Sequence, residues 1–226
     1  YSALDNVDGD LTGQVQVDGE VDWLTPGTYS VTYTVTDGYK NTTTVTRTVE
    51  VQAVPRPEVV WPEGKVIYLT FDDGPSKYTP QVLAALEKCD AKATFFVTAQ
   101  DANQDYLSYL TDIEAAGHQI ALHSASHSYS RIYSSTENFW LDIKALRATL
   151  ANYIDVDAIH WLRFPGGSTN TVSHRYGGRQ IMQQLKAQAE QKGYAWIDWN
   201  VCAEDATASH PNAAQILRNI RQIGRA

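Results

Sequence analysis

The sequence predicts an α/β fold whose strands form a parallel sheet, open or closed into a barrel, preceded by a small all-β module. Three observations carry that prediction. From Lys65 onward, segments of strand and helix periodicity alternate, the order that builds parallel sheets. Residues 1–53 instead show apolar–polar alternation with period two. The composition also changes between the two stretches. Residues 1–53 hold eight acidic and two basic residues and no His or Cys, whereas 18 acidic and 16 basic residues, all six histidines and both cysteines follow. Val54-Pro55-Arg56-Pro57 and Trp61-Pro62 stand at the junction. Prolines remove backbone donors and favour extended chain, so 54–64 is expected to be a semi-stiff linker between domains 1–53 and 65–226.

The elements follow in order. Thr28 to Thr36 alternates as a half-buried strand does, Asp37-Gly38 supplies turn chemistry, and residues 44–51 resume a β-branched run. Several short strands in about 50 residues point to a small β-sandwich. Asp5, Asp8 and Asp10 offer hard oxygen ligands that suit calcium, but a solvated acidic turn is the preferred reading. The stretches Asp8-Gly9-Asp10-Leu11-Thr12, Pro26-Gly27-Thr28-Tyr29 and Val35-Thr36-Asp37 resemble the bacterial immunoglobulin-like repeats of surface proteins. That resemblance implies a spacer or adhesive module.

Beyond the linker, Lys65 to Phe71 is a near-continuous apolar run, expected to be a strand covered on both faces. Thr79-Pro80-Gln81 opens a helix to about Lys88, with Val82, Leu83 and Leu86 on one face. A strand at Ala93 to Val97, a helix from Tyr106 to Ala116 and a strand at Ile120 to Leu122 come next. Helices over 136–153 and 179–192 interleave with strands over 159–164 and 194–201. In such folds ligands sit at the carboxyl ends of the strands.

Composition excludes some functions. The chain carries 18 basic against 26 acidic residues, a net charge of -8, the reverse of what neutralises phosphates, so nucleic acid is not an expected partner. No apolar run approaches the roughly 20 residues that span a bilayer. Tyr1 is not an initiator Met and no leader follows it, so the chain reads as a piece of a longer protein. Cys89 and Cys202 fit neither a disulfide framework nor a zinc pattern; they are expected to be small buried hydrophobes, unpaired and at opposite ends of the sheet.

Reactive residues gather at the strand ends. Asp72 and Asp73 follow the first strand, His123 and His127 follow the third, and Arg163 and Asp198 lie late in the last two. If His123-Ser124-Ala125-Ser126-His127 is helical, its imidazoles share a face and reach one metal. With Asp73 they form two histidines and an acid, leaving a position for water as in a catalytic zinc site.

These residues carry a resemblance. Thr70-Phe71-Asp72-Asp73-Gly74-Pro75, His123 to His127, Arg163-Phe164-Pro165-Gly166-Gly167-Ser168 and Asp198-Trp199-Asn200 resemble successive motifs of the polysaccharide deacetylase family, carbohydrate esterase family four. The resemblance implies a distorted barrel of strands and helices, a divalent metal (usually zinc), and removal of acetyl groups from polysaccharides. The Arg-Phe-Pro-Gly-Gly-Ser version resembles peptidoglycan deacetylases of Gram-positive bacteria. Carried over residue by residue, it makes Asp72 the general base and Asp73, His123 and His127 the metal ligands. Arg163 orients Asp72, Gly166 N–H helps hold the oxyanion, and Trp199 is either a wall for a sugar face or a buried core residue. The family's last motif, a strand with Leu-x-His held by the carboxylate at Asp198, has no counterpart before Ala226, and His210 before Pro211 is a poor substitute. The barrel is therefore expected to lack its last strand, with an unpaired edge and slowed amide cleavage. Expected is a zinc-dependent enzyme acting on N-acetylglucosamine residues of peptidoglycan, at the cell surface and tethered by upstream sequence. A non-catalytic wall-glycan binder, or a deacetylase of chitin oligomers or acetylated xylan, is the alternative. His118, His160 and His174 are expected to be structural or surface residues.

Overall fold

The computed structural model describes residues 1–53, 63–64, 66–206 and 211–223; most of the expected linker, and His210, lie outside them. The chain divides into two compact units, residues 1–61 with 187–194 and residues 62–186 with 195–226.

In the N-terminal unit, β1 (Leu4–Asp5) pairs antiparallel with β2 (Gly9–Asp10). A separate antiparallel sheet runs in the order β3 (Gln16–Asp18), β4 (Gly27–Thr36), β5 (Thr42–Val51). The hairpin between β4 and β5 closes because Asp37 accepts from the Asn41 backbone N–H at 2.7 Å while Lys40 takes φ +71°. Below the turn, Thr32–Thr46, Thr34–Thr44 and Thr36–Thr42 hydroxyls pair at 3.3, 3.3 and 2.9 Å across the ladder. Leu11, Leu24 and Val31 are its buried apolar residues. The Asp5 and Asp10 carboxylates accept backbone N–H bonds from Val7, Asp8 and Thr12, and Asp8 accepts from Gly38. These acids are turn acceptors, which depresses the pKa of Asp5 and Asp10.

The second unit alternates strand and helix. It runs β6 (Leu69–Gly74), α1 (Thr79–Lys88), β7 (Ala93–Thr98), α2 (Tyr109–Ala115), β8 (Gln119–Ser124), α3 (Tyr129–Ile132) and α4 (Thr136–Leu150). Then come β9 (Trp161–Leu162), α5 (His174–Gly177), α6 (Ile181–Gln191), β10 (Ala195–Trp196) and α7 (Ala213–Ile223). All neighbouring strands are parallel and their order is sequential, β6 to β10. Sequential order without reversal is the winding of a barrel rather than of a doubly wound sheet. The core joins Phe96 and Val97 of β7 and Leu122 of β8 with Ile143, Leu146 and Leu150 of α4 and Leu110 and Ile113 of α2, all buried. Each such side chain contributes about 1.5–3 kcal/mol on burial. Helix α4 starts where Ser135 Oγ accepts from the Asn138 N–H at 3.2 Å.

Several expectations need correction. The run 65–71 is not covered on both faces: Val66, Ile67, Tyr68, Leu69 and Phe71 are exposed, because β6 is the edge of the sheet and pairs only with β7 among the described residues. The expected helix 106–116 divides into a 3-10 turn at Asp101–Tyr106 and α2, because Gln100 and Asn103 cap the turn reciprocally. Strands 159–164 and 194–201 shrink to two paired residues each, so Arg163 and Asp198 lie just past them. Both cysteines are exposed thiols, Cys89 because it ends α1 and Cys202 because it follows the last strand; they are unpaired as expected.

Candidate active site

The site is built on the carboxyl ends of the parallel strands. Period two along β6 puts Thr70 and Asp72 on one face and Leu69 and Phe71 on the other. Arg163, just past β9, is buried and reaches across to the first pair. Its Nη1 donates to Asp72 Oδ1 at 2.6 Å and to Thr70 Oγ1 at 3.0 Å. Nε donates to the Ile197 carbonyl at 2.9 Å, and the guanidinium carbon lies 4.0 Å from the Phe96 ring centroid and 5.1 Å from that of Trp199. A buried guanidinium so fully bonded is a fixed charge that holds the Asp72 carboxylate in one orientation.

Asp73 follows at φ +65°, which turns its carboxylate away from the ladder. Its Oδ1 lies 3.5 Å from His123 Nε2 and 3.3 Å from His127 Nε2. His123 is buried at the end of β8, and its Nδ1 lies 2.6 Å from the Arg163 carbonyl oxygen. A carbonyl only accepts, so Nδ1 carries the proton and Nε2 presents a lone pair toward Asp73. Burial lowers the His123 pKa against the opposing pull of Asp72 and Asp73, which favours the neutral, ligating imidazole. The stretch 124–127 is not helical: Ser124 ends β8, the chain turns, and His127 sits at φ +50°. The imidazoles therefore meet through a loop, not along a helix face. One donor atom each from Asp73, His123 and His127 lies within 4.8 Å of the other two. One carboxylate oxygen and two imidazole nitrogens at this spacing, one nitrogen with its tautomer set from behind, suit a divalent transition metal.

The remaining predicted residues frame this cluster. Asp198 accepts from Ser168 N–H at 2.9 Å and Ser168 Oγ at 2.6 Å, so its carboxylate grips the Gly-Gly-Ser turn. Within that turn Gly166 has φ +78°, and its N–H has no acceptor among the described residues. Trp199 is 41% exposed, a solvent-facing ring rather than a core one.

Comparison with known proteins places this geometry. A family model described as polysaccharide deacetylase matches residues 61–189, and one described as bacterial surface protein, Ig-like domain, matches residues 1–51. The chain belongs to the polysaccharide deacetylase family. The chain is 30% identical over 163 residues to a peptidoglycan-N-acetylglucosamine deacetylase of Bacillus cereus, covering 70% of this chain and 55% of that protein. It is 33% identical over 153 residues to a chitin deacetylase of Arthroderma benhamiae, covering 66% and 38%. Among solved structures it resembles the catalytic domain of peptidoglycan N-acetylglucosamine deacetylase from Eubacterium rectale, with a TM-score of 0.69, 40% identity and 74% of each chain covered. The chain spans about half the length, or less, of the first curated relatives it matches.

Three residues of the candidate site escaped the sequence reading. Thr70 shares the Arg163 guanidinium with Asp72. Tyr133, buried, donates from its hydroxyl to the Pro165 carbonyl at 2.7 Å, and burial drives its pKa upward. Tyr129 packs edge-on against His127, and its hydroxyl stands where a side chain at 166 would go: a Cβ there would lie 2.6 Å from it. Burial and the charge of Asp73 raise the Tyr129 pKa. The only sequence signal for the two tyrosines was their spacing, four apart just after His127, which ordinary helix packing explains equally well.

Proposed function

We propose that this chain is the catalytic part of a zinc-dependent deacetylase that removes N-acetyl groups from N-acetylglucosamine residues of peptidoglycan. The observation that carries the proposal is the convergence of Asp73, His123 and His127 beside an Asp72 fixed by buried Arg163. A divalent ion such as zinc, held by Asp73, His123 and His127, supplies Lewis acidity to the acetyl carbonyl and lowers the pKa of bound water to about 7. The bond from Arg163 occupies Asp72 Oδ1 and leaves Oδ2 to take the proton of the attacking water. Gly166 N–H donates to the oxygen on which negative charge develops, an interaction of about 10²–10³ in rate in other hydrolases. Trp199 offers its exposed ring to a sugar face.

The departing amine must be protonated as its bond to the acetyl carbon breaks. A second reading is a glycan binder that keeps the fold and the metal site. The Ig-like match and the names of the relatives support a location at the cell surface. No helix among the described residues is long and apolar enough to cross a membrane. Acetate release from peptidoglycan, chitin oligomers and acetylated xylan, with metal analysis of the same sample, tests the proposal. Release from peptidoglycan with about one zinc per chain supports it. Glycan binding with no acetate from any of the three favours the binder.

A further inference from the structure

We infer that Asn103 and Asp142, buried side chains outside every motif above, are the positioning residues that lock the two turns carrying Asp73 and His127. The inference rests on the reading of Asp73, His123 and His127 as metal ligands and deepens it.

Asp73 at φ +65° and His127 at φ +50° are both non-glycine residues in the left-handed region. Such backbone is strained for a residue with a side chain and persists only where the surroundings over-determine it. Each turn has its own restraint. Asn103, 4% exposed, donates from Nδ2 to the Asp73 carbonyl at 2.9 Å and to the Pro75 carbonyl at 2.8 Å. Its Oδ1 accepts from Thr98 Oγ1 at 2.8 Å and from the Gln100 N–H at 3.0 Å. Both donors and both lone pairs of the amide are used, so its orientation is fixed and it brackets the Asp73-Gly74-Pro75 turn from inside.

Asp142, 5% exposed on α4, does the same for the histidine loop with a charge. Its Oδ2 accepts from Ser124 Oγ at 2.6 Å and Ala125 N–H at 2.7 Å, and its Oδ1 from Ser126 N–H at 3.0 Å. Ser124 Oγ in turn accepts from the His127 N–H at 2.8 Å, so the chain of bonds runs from α4 to the backbone of the ligand. His123 needs no such lock, since it lies within β8 and is held by the Arg163 carbonyl. Asn103 and Asp142 bond to none of the three ligating side chains. They act through backbone, by holding the ligand atoms where the ion needs them before it arrives.

The test is zinc and cobalt affinity of the metal-stripped chain, read by competition with a chromophoric chelator. Wild type is compared with Asp142→Asn, Ser124→Ala and Asn103→Ala, with folding checked by circular dichroism. Leu146→Ala, a core truncation one turn beyond Asp142 on α4, is the stability control. We expect each of the three variants to lose about ten- to hundredfold in affinity, the range for residues behind metal ligands. Their saturated cobalt spectra should differ from wild type, while Leu146→Ala lowers the melting temperature and leaves affinity and spectrum unchanged. Folded Asp142→Asn and Asn103→Ala chains that bind within about twofold of wild type would overturn the inference and leave the metal site standing. An equal loss of affinity in Leu146→Ala would also overturn it, by tracing the effect to general stability. A wild-type chain that binds no metal sinks both the inference and the reading beneath it. Ser124→Ala removes only the link between Asp142 and His127, so it still decides the question if an Asp142 variant does not fold.

Discussion

Asp72 and Asp73 are neighbours in sequence, but the left-handed backbone at Asp73 sends their carboxylates to different partners, a guanidinium and a pair of imidazoles. Their substitutions should therefore separate. Asp72→Asn leaves Asp73, His123 and His127 in place and should bind zinc at wild-type affinity while losing about 10²–10⁴ in turnover. Asp73→Asn or His127→Ala should lose zinc itself. Acetate release and metal content measured on the same preparations check this, and an Asp72→Asn chain with wild-type turnover would exclude Asp72 as the base. Gly166→Ala adds a methyl group 2.6 Å from the Tyr129 hydroxyl and at φ +78°, so it should retain zinc and lose turnover through the displaced N–H. The motif residues were legible because the acids, the histidines and Arg163 each lie at a strand end in a short characteristic string. Tyr129, Asn103 and Asp142 were not, because a tyrosine, an amide and an acid on amphipathic segments acquire meaning only from what the chain folds beside them.

At the scale of elements, α4 falls within the helix predicted over 136–153, and the structure adds the serine that caps its start. Ser135→Ala should cost about 1 kcal/mol in urea unfolding, with no change in zinc affinity. The start of β8 carries a less visible feature. His118 is buried against Phe95, and its Nδ1 has no hydrogen-bond partner among the described residues. Burial first, and then the charge of Lys92, hold its pKa below the ordinary histidine value. A histidine whose folded pKa is depressed stays neutral in the native state while the unfolded chain takes up a proton. Its contribution is full above the unfolded pKa of about 6.5 and is lost as pH falls below it. Stability should thus drop between pH 7.5 and 5, and His118→Phe should flatten the drop in urea titrations at each pH; an unchanged slope would show that His118 is not its source. Strands 159–164 and 194–201 were overread for a related reason. Their β-branched and aromatic residues read as ladder, yet β9 shares only Leu162 with β8, and the side chain of Arg163 just beyond it reaches Asp72 and the Ile197 carbonyl.

At the scale of the whole molecule, the alternation of strand and helix fixed the parallel sheet and the place of the site, but not which strand would be outermost. An apolar run such as 65–71 has the same composition at an edge as in the centre, because what differs is the neighbour, which no local pattern records. The edge has a physical consequence. Leu69 and Phe71 on β6 and Val66 and Ile67 before it are exposed, Ile67 at 81%, and β6 has no second neighbouring strand among the described residues; Leu217 and Ile220 of α7 are exposed as well. Open strand edges flanked by apolar side chains template pairing with another chain. A polypeptide of residues 1–226 should therefore self-associate at tens of micromolar, with a sedimentation coefficient that rises with concentration. Ile67→Lys places a charge beside the edge without touching Thr70, Asp72 or Arg163, so it should suppress association and leave zinc content unchanged. If sedimentation shows the wild-type chain as a monomer across that range, the exposed strand is not a sticky edge, and the apolar residues along β6 require another explanation.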